Sequence, residues 1–174
     1  MLRSCEGHTP KLHPTAFVSE AAYVVGKVDI GEGSSVWPGT VIRGDQARVT
    51  LGKNVNFQDN CTIHADSDAT YGDNVTLGHG VICQAKSVGN NVLIGNGAIV
   101  NNEAEIGEHS IVASGSVVLD GKKLPPRSFI VGIPAEVKGH TTDRHLKMIE
   151  GTAANYRENG ARFQKAGLGS RPPE

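Results

Sequence analysis

The sequence predicts an all-β solenoid, a parallel β-helix of six-residue repeats, closed by a C-terminal α-helix. Three observations predict it. Apolar residues recur every six positions over most of the chain, glycine is abundant, and the periodicity turns helical beyond residue 141. Val18, Val24, Ile30, Val36 and Ile42 step by six. Leu51, Phe57 and Ile63 resume the step, then Tyr71, Leu77 and Cys83, then Val88, Ile94, Val100, Ile106, Val112, Val118, Leu124 and Ile130. Such a period fits neither an amphipathic helix nor an alternating hairpin. It fits short strands joined by tight turns, three hexads to each triangular coil, with the recurring residue pointing inward.

Each part of the repeat has a physical reason. The residue after the apolar one is often glycine, as at Gly31, Gly52, Gly72, Gly78, Gly89, Gly95 and Gly107. Glycine makes up 22 of 174 residues, near twice the usual ~7%. Four places after the apolar residue stands a small or β-branched one, such as Ala22, Thr40, Ala98 or Ser110. The repeat ends near Pro125-Pro126 and VGIPAEV. Thr141-Thr142-Asp143 then offers a helix N-cap. Leu146, Ile149, Ala153 and Tyr156 form one apolar helical stripe that should lie along the coil. Gly160 weakens that helix, and AGLGSRPPE reads as a loose tail. The expected division is a β-helix over 1–138 and a helix with tail over 139–174 packing on it.

Lys and Arg number 17 against 18 Asp and Glu, which speaks against a nucleic-acid footprint or a polybasic membrane surface. No apolar run approaches the ~20 residues of a membrane span, and the N-terminus lacks the apolar core of a signal peptide. A cytoplasmic protein is expected. Cys5, Cys61 and Cys83 are odd in number and show no CxxC spacing, so reduced thiols are the simple reading.

The irregularities point to the site. From Ile42 to Leu51 the step is nine, from Ile63 to Tyr71 eight, and from Cys83 to Val88 five. Carrying the register through these slips stacks Arg43, His64, Gln84 and Asn101 in one column, one residue per coil. Asp59, His79 and Asn96 stack in another, on a different face. Within one chain His64 should therefore not meet His79. If they share a site, it lies between subunits of a three-fold assembly.

SSVWPGTVIRGD (34–45), GKNVNFQDNCTIHAD (52–66), GDNVTLGHG (72–80) and VGIPAEV (131–137) together resemble the γ-class carbonic anhydrase family, over nearly the whole chain. The resemblance implies a left-handed β-helix and a homotrimer with a zinc ion, or another divalent metal such as iron or cobalt, at each subunit interface. It implies His64 and His79 as metal ligands, His79 donated across the interface. The third ligand falls at Gln84, where the family has histidine. Arg43 and Asp45 match an intersubunit ion pair. Gln58 and Asp59 match the residues beside the metal-bound water, Gln58 orienting it and Asp59 helping proton transfer. The implied activity is hydration or hydrolysis of CO2 or another small electrophile.

Gln84 changes that expectation. Catalytic zinc uses three protein ligands and an open position, and three neutral imidazoles serve it well. An amide oxygen is a weaker, harder donor, which lowers zinc affinity and makes CO2 hydration doubtful. Asp66 is a weaker candidate to reach in instead. Asn96 and Asn101, with Gln84, bring three amides towards one locus, which suits a pocket for a polar small molecule. Two alternatives stand beside the metal enzyme: an acyltransferase or CoA thioesterase of the hexapeptide type, and a non-catalytic trimeric binding or scaffold protein.

Overall fold

A computed structural model describes residues 1–170. The chain is a parallel β solenoid, left-handed as expected, capped by one C-terminal helix. Its coils have three faces. Face A carries the starts of strands Tyr23–Ile30 and Val41–Leu51, then Thr62–His64, Ile82–Cys83, Ile99–Val100 and Val117–Val118. Face B carries the ends of the same two long strands, then Ala69–Tyr71, Ser87–Val88, Glu105–Ile106 and Lys123–Leu124. Face C runs from Phe17–Val18 through Ser35–Val36, Asn56–Phe57, Thr76–Leu77, Leu93–Ile94 and Ile111–Val112 to Ser128–Gly132, and an antiparallel strand, Ala135–His140, closes it.

The apolar hexad positions pair in register from coil to coil. Val24, Ile42, Ile63, Cys83, Val100 and Val118 form one inward ladder. These residues are almost wholly buried. Removing one large member, as in Ile63→Ala, costs about 2–5 kcal/mol through lost burial and the cavity left behind.

All three breaks in the six-residue step fall at one corner, where face A turns into face B. There Val41–Leu51 bends around without ending, and four of its residues, Asp45 to Arg48, stand opposite Lys27 alone and form a bulge. Gly44 sits in register on Gly26. A Cβ on Gly26, which has φ +82°, would lie 2.4 Å from the Gly44 carbonyl oxygen, and one on Gly44 would lie 2.5 Å from that of Lys27. Only two glycines allow the coils to meet so closely.

The outward residues divide the faces by chemistry. On face B they are polar: Asp29, Thr50, Thr70, Ser87, Glu105 and Lys123. Face C is covered by the helix Asp143–Lys165, which packs against its strands. Trp37, Phe17, Tyr156 and Phe163 interlock there with ring centroids 5.0–5.9 Å apart. Gly160 lies where helix and sheet come closest, since a Cβ there would meet Phe17 and Ser35 at 3.2 and 3.3 Å. The glycine thus permits the docking, whatever it costs in helix propensity. Face A is different: Tyr23, Val41, Ile82, Ile99 and Val117 point outward, and no helix among the described residues covers them.

The helix begins as expected, with Thr142 as N-cap. The tail needs a correction. Residues 168–170 are not loose: Ser170 N–H donates to Val18 O at 2.6 Å, and Leu168 O accepts from Glu20 N–H at 3.2 Å. These backbone bonds are not visible in an apolar pattern. The remainder of that expected tail, 171–174, lies outside the described residues.

Candidate active site

The structure brings Arg43, Asp45, His64 and Gln84 together at the edge where face A meets the irregular corner. Arg43 pairs in register with His64, and Gln84 follows Cys83, which pairs with Ile63. The three side chains therefore stack one coil apart. They line a concavity of about 350 Å³, together with Val41, Thr62, Ile63 and Ile82. Asp45 comes from the bulge. Its Oδ1 lies 3.4 Å from His64 Nε2 and 3.7 Å from Arg43 Nε. Both Asp45 Oδ1 and His64 Nε2 are buried atoms without a hydrogen-bond partner. Buried polar atoms normally find partners, so this pair is poised to take up a proton or a ligand. The His64 side chain is only 18% exposed.

The second expected column lies at the opposite edge of face A, where face C turns into it. His79 follows from the register of Leu77 on Phe57, one coil above Asp59. Its Nδ1 is 3.0 Å from Asp59 Oδ2, and the ring is 51% exposed. Gln58 is buried beside it and donates its amide N–H to Asn56 Oδ1 at 3.3 Å. Sequence reasoning placed Tyr156 on the helix stripe alone. The structure also sets it near Asp59: burial first, and then the Asp59 charge, push its hydroxyl above the ordinary value. No sequence signal links a helix residue to a coil corner 97 positions earlier, because the helix docking angle fixes that contact.

The amides divide. Gln84 faces the pocket. Asn96 uses its side-chain oxygen to accept the backbone N–H of His79 at 3.0 Å. Asp73 and Asn90 make the same bond to Lys53 and Asp73 one coil below. Asn96 thus joins a ladder that ties coils together. Asn101 stacks above Gln84 through the pairing of Cys83 with Val100 and is half-buried, but it is not among the residues lining the pocket. Asp66 accepts from Asn102 Nδ2 at 2.6 Å. Cys61 and Cys83 are core residues.

The residues of one chain do not make the donor set that a zinc ion of the implied kind requires. His64 turns its buried Nε2 towards Asp45, and Asp59 leaves Nε2 of His79 as that ring's free nitrogen. The third position supplies only an amide. Among the described residues, no three His, Cys, Asp or Glu side chains converge. Likewise, no helix among them is long and apolar enough to cross a membrane.

Fold and site together define a hexapeptide-repeat β-helix protein with an imidazole–carboxylate pair at one coil edge. Residues 86–120 match the family described as bacterial transferase hexapeptide (six repeats). A carbonic anhydrase of Geobacillus kaustophilus is 38% identical over 94% of this chain and 91% of its own. A solved Bacillus cereus structure superposes with a TM-score of 0.90 at 37% identity, covering 95% of this chain and 98% of that one. A hexapeptide transferase family protein from Anaplasma phagocytophilum has a TM-score of 0.90 at 32% identity, covering 94% and 98%. The chain spans 56% of the length of two mitochondrial γ carbonic anhydrases of Arabidopsis thaliana, to which it is 36% and 33% identical. The chain belongs to the hexapeptide-repeat left-handed β-helix family that is related to both γ-carbonic anhydrases and hexapeptide acyltransferases.

Proposed function

We propose that the chain acts on a small acyl compound, as an acyltransferase or thioesterase of the hexapeptide class, at a site between subunits of a homotrimer. The observation that carries this reading is the Asp45–His64 pair, two buried polar atoms 3.4 Å apart without hydrogen-bond partners, whose imidazole lines a pocket. His64 takes a proton from the attacking water, hydroxyl or amine at Nδ1, while its Nε2–H faces Asp45, which stabilises the imidazolium so formed. The nucleophile adds to the acyl carbon, the carbon–sulfur bond of a thioester breaks, and the thiolate recovers the proton from His64. Gln84, one coil above, has an amide N–H for the carbonyl oxygen as it gains charge. Arg43 at the same rim suits an anionic group on the substrate.

Assembly is supported by the faces. Face C is covered and face B polar, whereas face A presents an apolar column, with Ile82 41% exposed. An uncovered apolar strip on a rigid face favours burial against another copy. His64 and His79 sit at opposite edges of that face, so a neighbour packed on it would bring a second corner to the first.

A second reading, a metal-dependent lyase or hydrolase of the γ-carbonic anhydrase kind, is favoured by one contact. Asp59 beside His79 Nδ1 is the outer partner that a ligating imidazole normally has. Both readings are tested with the purified protein, by thioester cleavage with acetyl-CoA, CO2 hydration and elemental analysis. The acyl reading expects cleavage that survives chelation and is lost in His64→Ala. About one metal ion per chain, with hydration lost on chelation and no thioester cleavage, overturns it in favour of the metal reading.

A further inference from the structure

A second concavity, unrelated to the residues above, lies lower on the irregular corner. The seven residues from Ser4 to Pro10 leave the first coil there as a small hairpin. Cys5 and His8 exchange both backbone hydrogen bonds at 2.9 Å. Glu6 and Gly7 supply the two positive φ values, 50° and 76°, that a tight two-residue turn needs. Ser4 Oγ and Thr9 Oγ1 close the next rung at 2.7 Å. The hairpin is therefore a built flap. It overhangs a space of about 330 Å³, lined among others by His8, Thr9, Lys11, Lys27, Asp29 and Arg48.

The charge inside this space is one-sided. Arg48 pairs with Asp29. Its backbone is fixed by Asp68, whose Oδ1 accepts the Arg48 N–H at 2.8 Å. Lys27 is half-buried, and its Nζ contacts only the Gln46 carbonyl, at 3.4 Å. Among the described residues, neither Lys27 nor Lys11 forms an ion pair. Three cations, Lys11, Lys27 and Arg48, thus line the space beside one carboxylate, Asp29, in a chain whose net charge is −1. A half-buried lysine without a counter-ion keeps its ammonium donors available to an anion that enters the space. A guanidinium already oriented by a carboxylate presents its remaining N–H groups as a fork that matches a phosphoryl group.

The geometry points to an anion site under the Ser4–Pro10 hairpin that takes a phosphoryl group of a small molecule, held by Lys11, Lys27 and Arg48. Its size admits a phosphate or pyrophosphate ester. The site stands whether or not the chain is an acyl-transfer enzyme.

Calorimetric titration of the full chain with inorganic pyrophosphate and with phosphate tests it, beside Lys27→Met and the double variant Lys11→Met/Lys27→Met. Neither lysine holds the fold by an ion pair, so thermal midpoints should match the wild type and certify folding. Saturable binding of pyrophosphate is expected, weakened about tenfold by the single variant and further by the double one. A second check is amide NMR, where pyrophosphate should shift signals of the hairpin and of residues 27–29 and leave those of His64 and Gln84 in place. Three results each overturn the proposal: no saturable binding up to about 10 mM, binding that the variants leave unchanged, or succinate bound as tightly as pyrophosphate.

Discussion

The two edges of face A hold similar residues in opposite states. At one edge His64 is largely shielded and faces Asp45 at 3.4 Å without a hydrogen bond. At the other, His79 is half exposed and engages Asp59 at 3.0 Å. The first imidazole is held by packing and keeps an unmet polar demand. The second has that demand met and turns its remaining nitrogen outward. An unsatisfied buried pair is suited to accepting a proton during a reaction, whereas a satisfied exposed pair is suited to presenting a fixed donor atom. The difference comes from backbone spacing. His64 precedes an irregular corner whose bulge delivers Asp45, while His79 lies in a regular turn with Asp59 one coil below.

The largest expected effect tests this asymmetry directly. Under the acyl-transfer reading, His64→Ala should lower kcat/KM for thioester cleavage by about 10²–10⁴-fold, the usual worth of a general base. His79→Ala should lower it less than about tenfold, because that ring touches no reacting atom in this scheme. Circular dichroism should show both variants folded. Equal, complete losses would erase the distinction between the edges and turn the case towards two histidines bound to one ion.

Next comes the assembly on which a joint site depends. Ile82→Asp places a carboxylate in the apolar column of face A, and leaving a buried charge unpaired at an interface costs about 2–5 kcal/mol. Light scattering should show the wild type near three times the chain mass and the variant dissociated. A wild type that scatters as a single chain, or a variant with unchanged mass, removes face A as the contact and leaves the two edges functionally separate.

How much of this was readable beforehand follows from what a period encodes. The hexad fixed the inward ladder, and the three slips between Ile42 and Val88 located the corner where the coil departs from it. The stacking of Arg43, His64 and Gln84, and of Asp59, His79 and Asn96, followed from register alone and reappears in the strand pairing. What each side chain does was less legible. Asn96 looked like a pocket amide, yet its oxygen holds the His79 backbone. That choice depends on turn geometry, which a spacing argument does not contain. Tyr156 near Asp59 and the docking of Ser170 on Val18 were invisible for the same reason: they depend on where the helix lies on face C. The basic space under the N-terminal hairpin leaves no signal in the sequence, because Lys11, Lys27 and Arg48 are far apart in it and the overall charge is close to zero.

A smaller change separates the carboxylates. Asp45→Asn removes the charge that stabilises a protonated His64, and an opposite charge at this range shifts such an equilibrium by about tenfold or more. The rate of thioester cleavage should fall by that factor while KM stays near its wild-type value. Asp59→Asn should leave the rate within about twofold, since the scheme gives His79 no proton to carry. Parallel rate losses in both variants would mean that the two edges work as one unit.

The smallest effect at neutral pH lies in the core directly behind the His64 edge. Tyr71 and Cys83 meet in the core there, and Cys61 lies across it, at the corner where face C turns into face A. Burial pushes the Cys61 thiol from 9.0 up to about 12 and raises Cys83 as well. Burial is also the main reason that Tyr71, whose hydroxyl lies against Cys83, titrates well above its ordinary value. The fold therefore holds these protons more tightly than the unfolded chain does. Their contribution to stability is complete below pH 9 and declines as pH rises from there towards 12. Thermal midpoints should be level from pH 7 to about 8.5 and then fall, and Cys83→Val should flatten the fall at a cost of about 1 kcal/mol or less at pH 7. Thiol labelling at pH 8 gives the same layer a second reading. Cys5, the half-exposed thiol, should react in the native protein, whereas Cys61 and Cys83 should react only after unfolding. Three fast-reacting thiols in the native state would show that the layer behind His64 opens readily, and a base resting on so loose a wall could not keep Asp45 in place.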